Sequence, residues 1–121
     1  MKKKRLYIAG HTGMVGTALY DYFKTDNRYE LLTASRQELD LTQQQDTYQW
    51  LQNNKPDITI VAAAKVGGIQ ANINEPYEFL SQNLQIAYNT IQGSFLAGVP
   101  RLIFLGSSCM YPKNCTQPMK E

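Results

Sequence analysis

Cysteine and long apolar stretches are scarce in this sequence, and each shortage excludes a class of protein. Only two cysteines are present, Cys109 and Cys115, which is too few for a disulfide framework. No stretch stays apolar over the length that crosses a bilayer. We therefore expect a protein with no membrane partner, located in the cytoplasm.

An excess of charge is also lacking, since the formal net charge is only +2 at pH 7. This balance gives no electrostatic reason to expect a nucleic-acid partner. The basic run at residues 2–5 directly precedes a short apolar run, and we interpret it as a solvated lead-in to a strand rather than a targeting signal. The length of 121 residues fits one domain.

What the sequence does contain is a strand, a glycine turn and a helix within residues 5–23. Residues 6–9 are apolar throughout, as expected of a strand buried on both faces of a parallel sheet. From Met14 onward, apolar residues recur at helical spacing. Between them, Gly10, Gly13 and Gly16 spell GxxGxxG.

This arrangement is typical of a phosphate site. A helix N-terminus offers unpaired N–H groups and partial positive charge, and glycines let a pyrophosphate approach the backbone. No Lys-Ser or Lys-Thr pair follows, so a Walker-type triphosphate loop is not expected. The alternative is a glycine turn that only packs a helix against a strand. His11, the sole histidine, lies in this turn, where we expect a packing or phosphate-side role rather than a catalytic base.

Strands and helices alternate along the rest of the chain. We predict strands at 29–34, 58–64 and 101–106, and helices at 42–54, with Thr42 as N-cap, and 76–97. The loop at 66–76 is shaped either for a ligand or for a sharp turn. The alternation predicts an α/β fold, a Rossmann-type parallel sheet of strand order 3-2-1-4 with flanking helices, forming one NAD(P)-binding domain over residues 1–121.

Ligands of such sheets bind at the carboxyl ends of the strands, which places the glycine turn, Arg36, the AAAKVGG segment and residues 107–109 around one crevice. Arg36 follows the second strand, where an arginine accommodates the 2′-phosphate of NADP, although it also fits an ordinary exposed arginine. Asp40 is either an acceptor for the adenine amino group or the start of the next helix. Residues 107–109 follow the fourth strand and, without further information, fit an ordinary strand end.

The glycine turn resembles that of the short-chain dehydrogenase/reductase superfamily, in its extended, nucleotide-sugar-modifying branch. The segments IAGHTGMVG, AAAKVGGIQAN and FLGSSCMYPK, in this order and spacing, resemble the GDP-L-fucose synthase family more specifically. That resemblance implies an NADPH-dependent epimerase/reductase acting on a GDP-sugar, GDP-4-keto-6-deoxymannose.

The resemblance also implies roles for individual residues. The cofactor NADP(H) would be held by the glycine turn, by Arg36 at the 2′-phosphate, and by residues along the adenosine half; the full set is Gly10, Gly13, Met14, Val15, Gly16, Arg36, Asp40, Leu41, Ala62, Ala63 and Ala64. Ser107 resembles the catalytic serine that hydrogen-bonds the keto oxygen. Cys109 resembles the acid/base for epimerisation. No metal ligands are expected.

Two features depart from the family pattern. Thr12 stands where family members can carry an arginine for the 2′-phosphate. The superfamily's catalytic Tyr-x-x-x-Lys pair is matched only by Tyr20 and Lys24, on the first helix, which cannot reach the strand ends. We therefore expect the N-terminal, cofactor-binding part of an enzyme without its C-terminal substrate domain, inactive on its own.

Other readings stay open at this point. The chain also fits a non-catalytic nucleotide-binding module, or part of another extended nucleotide-sugar epimerase/dehydratase. A fourth strand without a neighbour and a long helix with an apolar face also predict a homo-oligomer.

Overall fold

The computed structural model describes residues 2–107 and 110–120. Strands and helices alternate along this part of the chain, as predicted. In chain order they are β1 (Lys4–Ala9), α1 (Met14–Phe23), β2 (Tyr29–Leu32), α2 (Gln44–Asn54), β3 (Ile58–Val61), α3 (Ile69–Asn74), α4 (Pro76–Leu96) and β4 (Arg101–Phe104).

The four strands form one parallel sheet, which confirms the predicted Rossmann-type α/β class. The predicted strand order 3-2-1-4 is wrong, because the sheet runs β2-β1-β3-β4. In the register, Leu6 of β1 lies opposite Leu31 of β2 on one side and Ile58 of β3 on the other. The third strand therefore pairs with β1 and not with the outer edge of β2.

Burial explains the observed order. The last four residues of β1 are buried, as are the last three of β3, whereas the half-exposed β2 carries the exposed Glu30. Strands buried along their length need neighbours on both sides, so β1 and β3 occupy the centre of the sheet. The half-exposed β2 is tolerated at an edge.

Alternation of side chains along β1 divides the core between the two faces of the sheet. Leu6 and Ile8 pack on one face, with Leu19 and Phe23 of α1. On the other face, Tyr7 and Ala9 pack with residues that include Leu51 and Trp50 of α2. The ring centroids of Tyr7 and Trp50 are 4.3 Å apart. Helix α4 covers the same face, where Ser94 donates a hydrogen bond to Thr59 of β3.

Several element boundaries differ from the predictions. The predicted strands extend two to three residues too far, since β2 ends at Leu32, β3 at Val61 and β4 at Phe104. Helix α2 starts at Gln44 with Gln43 as N-cap, because Thr42 belongs to a turn held by the Asp40 carboxylate. The loop at 66–76 contains the short helix α3. The long helix α4 matches its prediction and ends before Gly98, whose φ is +73°.

No helix in the described residues is both long enough and apolar enough to cross a membrane.

Candidate functional site

A cleft of about 440 Å³ opens at the carboxyl ends of the strands, a volume in the range of small-molecule and cofactor sites. It is built from the glycine turn, the segment after β2, the segment after β3 and one wall of α4. The lining residues are Gly10, His11, Thr12, Gly13, Ala34, Arg36, Leu39, Asp40, Leu41, Thr42, Ala62, Ala63, Ala64, Lys65, Val66, Gln82 and Ile86.

The glycine turn leaves the first turn of α1 facing this cleft. Gly13 is both a lining residue and the N-cap of α1, and it supplies no side-chain hydrogen bond to the helix. Its N–H donates to the carbonyl of Gly10 at 3.1 Å. Because the early N–H groups of a helix need acceptors and carry partial positive charge, this end is suited to an anionic group.

The other two glycines bring backbones close together. Gly10 has a φ of +81°, and a Cβ there would lie 2.7 Å from the backbone nitrogen of Ala63. Gly16 is buried, and a Cβ there would lie 1.8 Å from the carbonyl oxygen of Gly10. The absence of a side chain at Gly10 therefore lets the glycine turn pack against the segment after β3. The absence of one at Gly16 lets α1 pack against the turn.

Met14 and Val15 lie at the start of α1, and both are exposed. Met14 is 90% exposed, and neither residue is part of the lining. Only the backbone of these two residues remains available for the binding role predicted for them.

The segment after β2 is a restrained turn that presents Arg36 to the cleft. The Ser35 N–H donates to the Glu38 carboxylate at 2.6 Å, and the Glu38 N–H donates to the Ser35 hydroxyl at 3.3 Å. This reciprocal pair has the form of a capping box. The hydrogen bond from the Ser35 N–H holds the pKa of Glu38 below its ordinary value. Arg36, between these two residues, is exposed and lines the cleft.

Asp40 holds the next part of this turn. One of its carboxylate oxygens accepts hydrogen bonds from the hydroxyl of Thr42 at 2.7 Å and from the Thr42 N–H at 3.0 Å. The hydroxyl bond lowers the pKa of Asp40 most, and the nearby charge of Arg36 lowers it further. Asp40 is thus an ionised turn-forming residue at the cleft.

The segment after β3 supplies Ala62, Ala63 and Ala64, whose small side chains leave room for a flat ligand. Lys65 follows them. Its ammonium nitrogen lies 3.8 Å from the Glu75 carboxylate and 5.1 Å from the centre of the Phe79 ring. Arg36 and Lys65 thus place two cationic side chains along the cleft.

Sequence reasoning did not single out every lining residue. Gln82 and Ile86 line the cleft from α4, and their spacing of four residues on a predicted helix was the available signal. Lys65 and Val66 belong to the segment AAAKVGG, which was expected at the crevice. The other residues that were missed are Ala34, Leu39 and Thr42.

Of the candidate catalytic residues, the structure describes only Ser107. Ser107 is exposed after β4, its carbonyl accepts a hydrogen bond from the Met110 N–H, and it does not line the cleft. Cys109 lies outside the described residues. Lys24, of the Tyr-x-x-x-Lys match on α1, donates instead to the Asp21 carboxylate at 2.7 Å. Among the described residues, no group of acidic, cysteine or histidine side chains is placed to hold a metal ion.

Comparison with known sequences gives one family and several full-length relatives. The profile of the NAD dependent epimerase/dehydratase family matches residues 6–121. A GDP-L-fucose synthase of Sinorhizobium fredii is 49% identical over 118 residues, which are 98% of this chain and 37% of that protein. The GDP-L-fucose synthase of Escherichia coli is 42% identical over 121 residues, 100% of this chain and 38% of its own length. The chain thus spans little more than a third of these relatives.

Comparison with solved structures agrees with the fold. The GDP-mannoheptose C4 reductase MlghC of Campylobacter jejuni, solved with NADP bound, superposes with a TM-score of 0.92 at 38% identity. The match covers 99% of this chain and 38% of that one.

Proposed function

The chain belongs to the NAD dependent epimerase/dehydratase family, and from this premise we propose that it is the cofactor-binding part of an NADPH-dependent epimerase/reductase of GDP-sugars. The observation that carries the proposal is the cleft at the strand ends, where the open N-terminus of α1 and the side chain of Arg36 meet. The solved MlghC holds NADP, which supports NADP(H) as the ligand of this cleft. GDP-4-keto-6-deoxymannose is the proposed substrate, because two relatives are GDP-L-fucose synthases.

In this proposal each part of the cleft binds one part of the cofactor. The backbone N–H groups of Met14 and Val15 bind the pyrophosphate, because they are early donors of α1. Arg36 pairs with the 2′-phosphate through charge-assisted hydrogen bonds. Asp40, Leu41 and the segment at 62–64 line the adenosine half. When bound, NADPH supplies the hydride for reduction of the keto group.

The chemical roles proposed for Ser107 and Cys109 rest on the sequence resemblance. The hydroxyl of Ser107 donates a hydrogen bond to the substrate's keto oxygen, where it stabilises charge that develops in the transition state. Protons next to a polarised ketone become acidic. The Cys109 thiolate removes such a proton during epimerisation, and the resulting thiol returns one to the carbon.

Titration of the 121-residue chain with NADPH and with NADH, followed by isothermal calorimetry, tests the cofactor assignment. We expect saturable binding of NADPH and distinctly weaker binding of NADH, since only NADPH carries the 2′-phosphate. Equal affinities would contradict the role of Arg36, and no binding of either nucleotide would contradict the proposal as a whole.

We also propose that residues 1–121 alone reduce the substrate very slowly or not at all. In the superfamily's Tyr-x-x-x-Lys pair, the tyrosine donates a proton and the lysine lowers the pKa of that tyrosine. Loss of such a pair slows reduction by orders of magnitude. The only match in this sequence, Tyr20 and Lys24, has its lysine bonded to Asp21. The check is the oxidation of NADPH in the presence of GDP-4-keto-6-deoxymannose, and measurable turnover would overturn this part.

A homodimer through α4 is the proposed assembly. Exposed apolar side chains recur along one side of this helix, and we call this set the α4 stripe: Tyr77, Leu80, Leu84, Tyr88, Ile91 and Phe95. Glu78 is the only charged residue in the helix. Because a second copy presents the same nearly uncharged stripe, the surface is self-complementary and pairing meets little repulsion.

Light scattering coupled to size-exclusion chromatography tests the dimer. The wild-type chain should elute with twice the mass of the protomer, and Leu84→Glu should shift it to the monomer by burying a charge in the interface. Gln45→Glu adds the same charge at the exposed start of α2 and should leave the dimer intact. A monomeric wild-type chain would rule out the assembly.

A further inference from the structure

Asn89 is a polar residue buried in the middle of α4, only 3% exposed. Its side-chain N–H donates to the backbone carbonyl of Leu41 at 2.9 Å, although 48 residues separate the two along the chain. Burying an amide is unfavourable unless it is hydrogen-bonded. The contact to Leu41 is therefore the feature of the fold that accounts for an asparagine at this position.

The carbonyl that Asn89 holds belongs to the wall of the cleft. Asp40, Leu41 and Thr42 are consecutive lining residues, and they lie in an irregular turn outside the sheet ladder. Within the turn, the Gln43 N–H donates to the carbonyl of Asp40 at 2.9 Å. This bond and the bonds from Thr42 to the Asp40 carboxylate are local to the turn. The bond from Asn89, in contrast, connects the turn to a long helix on the face of the sheet.

Helix α4 makes a comparable contact on the other side of the cleft. The side-chain amide of Asn83 accepts from the Lys65 N–H at 2.7 Å and donates to the Lys65 carbonyl at 3.1 Å. Ile86, between the two asparagines, lines the cleft itself. One helix thus holds the segment after β2 through Asn89 and the segment after β3 through Asn83.

We propose that Asn89 is a positioning residue for the adenosine half of the cofactor, acting through the carbonyl of Leu41. This inference rests on the proposed binding of NADP(H) in the cleft. Asn89 does not line the cleft, so its effect is transmitted by the position of Asp40 and Leu41. Losing the bond lets the turn move and lowers the affinity for any ligand that contains the adenosine half.

The probe is 2′,5′-ADP, which contains the adenosine half and the 2′-phosphate but no nicotinamide. Calorimetry with the 121-residue chain compares the wild type with Asn89→Ser. We expect the affinities for 2′,5′-ADP and for NADP⁺ to fall by the same factor, about tenfold, the value for a hydrogen bond of ordinary strength. A fall for NADP⁺ alone would place the effect at the nicotinamide half and overturn the inference.

Asn54→Ser is the matched control. Asn54 also donates its side-chain amide to a backbone carbonyl, that of Trp50 at 2.8 Å, but it lies at the end of α2 that leads into β3, away from the cleft. Both variants lose one amide-to-carbonyl bond, so both should lower the melting temperature. Only Asn89→Ser should change the dissociation constant of 2′,5′-ADP, which a merely structural role would leave at the wild-type value.

The outcomes separate this inference from the proposed function. If wild-type protein binds 2′,5′-ADP and Asn89→Ser binds it equally well, Asn89 is a structural residue and the inference is wrong. If wild-type protein does not bind 2′,5′-ADP at all, the proposed function itself fails. Should Asn89→Ser not fold, Asn89→Leu keeps the approximate size of the side chain, lacks the N–H donor without adding a buried charge, and is judged by the same criterion.

Discussion

Gly16 lies directly against the backbone carbonyl of Gly10, and a Cβ at Gly16 would stand 1.8 Å from that oxygen. A Cβ at Gly13, by contrast, would meet that oxygen at 3.5 Å, which is an ordinary contact. The first and third glycines of the turn therefore pack backbones together, whereas the second lines the cleft with room for a side chain. This division of roles makes separate predictions for stability and for binding.

Gly16→Ala should destabilise the fold strongly. The added methyl group meets backbone atoms of Gly10 and His11, which cannot rotate away. We expect the free energy of unfolding to fall by about 3 kcal/mol, the upper part of the range for overpacking. Chemical denaturation measures it. A loss no larger than that of Gly13→Ala would show that α1 shifts outward without cost.

Gly13→Ala should leave the fold intact and impair binding. Its Cβ has room, so we expect the free energy of unfolding to change by less than about 1 kcal/mol. The same methyl group stands where a pyrophosphate must approach the backbone, and affinity for NADPH should fall about tenfold or more. Calorimetry on the folded variant measures this. Unchanged affinity would place the pyrophosphate elsewhere.

Arg36→Ala should reduce the preference for NADPH over NADH. Hydrogen bonds to a charged group contribute more than neutral ones, so we expect affinity for NADPH to fall about ten- to a hundredfold. Affinity for NADH, which lacks the 2′-phosphate, should stay nearly constant. Arg101→Ala removes an exposed arginine at the start of β4, the opposite end of the sheet, and serves as the control. Parallel losses for both nucleotides would mean that Arg36 holds the turn rather than the phosphate.

Asp40→Asn should make stability less dependent on acid pH. The bonds from Thr42 lower the pKa of Asp40 below the ordinary 3.8. A carboxyl whose pKa is lower in the folded state stabilises the fold at pH values above the pKa that it has in the unfolded state. This contribution disappears as the pH falls through the pKa of the folded state. Asp26 and Glu38 shift in the same direction, so wild-type protein should lose stability below about pH 4 for several reasons.

The contribution of Asp40 to this pH dependence is measured by comparing the unfolding free energies of the wild type and Asp40→Asn from neutral pH to about pH 2.5. The two curves should differ at neutral pH and converge in acid. Thr42→Val removes the hydroxyl donor. Its curve of unfolding free energy against pH should lie between those of the wild type and Asp40→Asn. Curves that stay parallel throughout would mean that Asp40 does not titrate differently in the folded state.

Local sequence features predicted most of the elements. The apolar run of β1 and the helical spacing from Met14 depend only on neighbouring residues, and α4 was placed correctly between its proline start and Gly98. The glycine turn, Arg36 and the AAAKVGG segment were expected at one crevice and contribute to one cleft, whereas Ser107, expected there as well, does not line it. Parallel strands end at a common edge, so this grouping followed from the fold class alone.

Contacts between distant segments were not predictable in this way. The order of the strands was wrong, because an apolar run does not reveal which neighbour it pairs with. The N-cap of α2 differed from its prediction for a local reason, because the Asp40 carboxylate holds Thr42 in a turn. The cleft wall from Gln82 and Ile86 was missed because it depends on where α4 crosses the sheet.

By itself, the sequence determined the class of the fold, the strand–glycine turn–helix unit and the family to which the chain belongs, since each of these depends on short-range spacing of residue types. Only the tertiary structure decided that β1 and β3 are neighbours, that Gly10 lies against Ala63, and that Asn89 holds Leu41. These are contacts between segments far apart in the chain, and the packing of buried strands and helices against one another sets them.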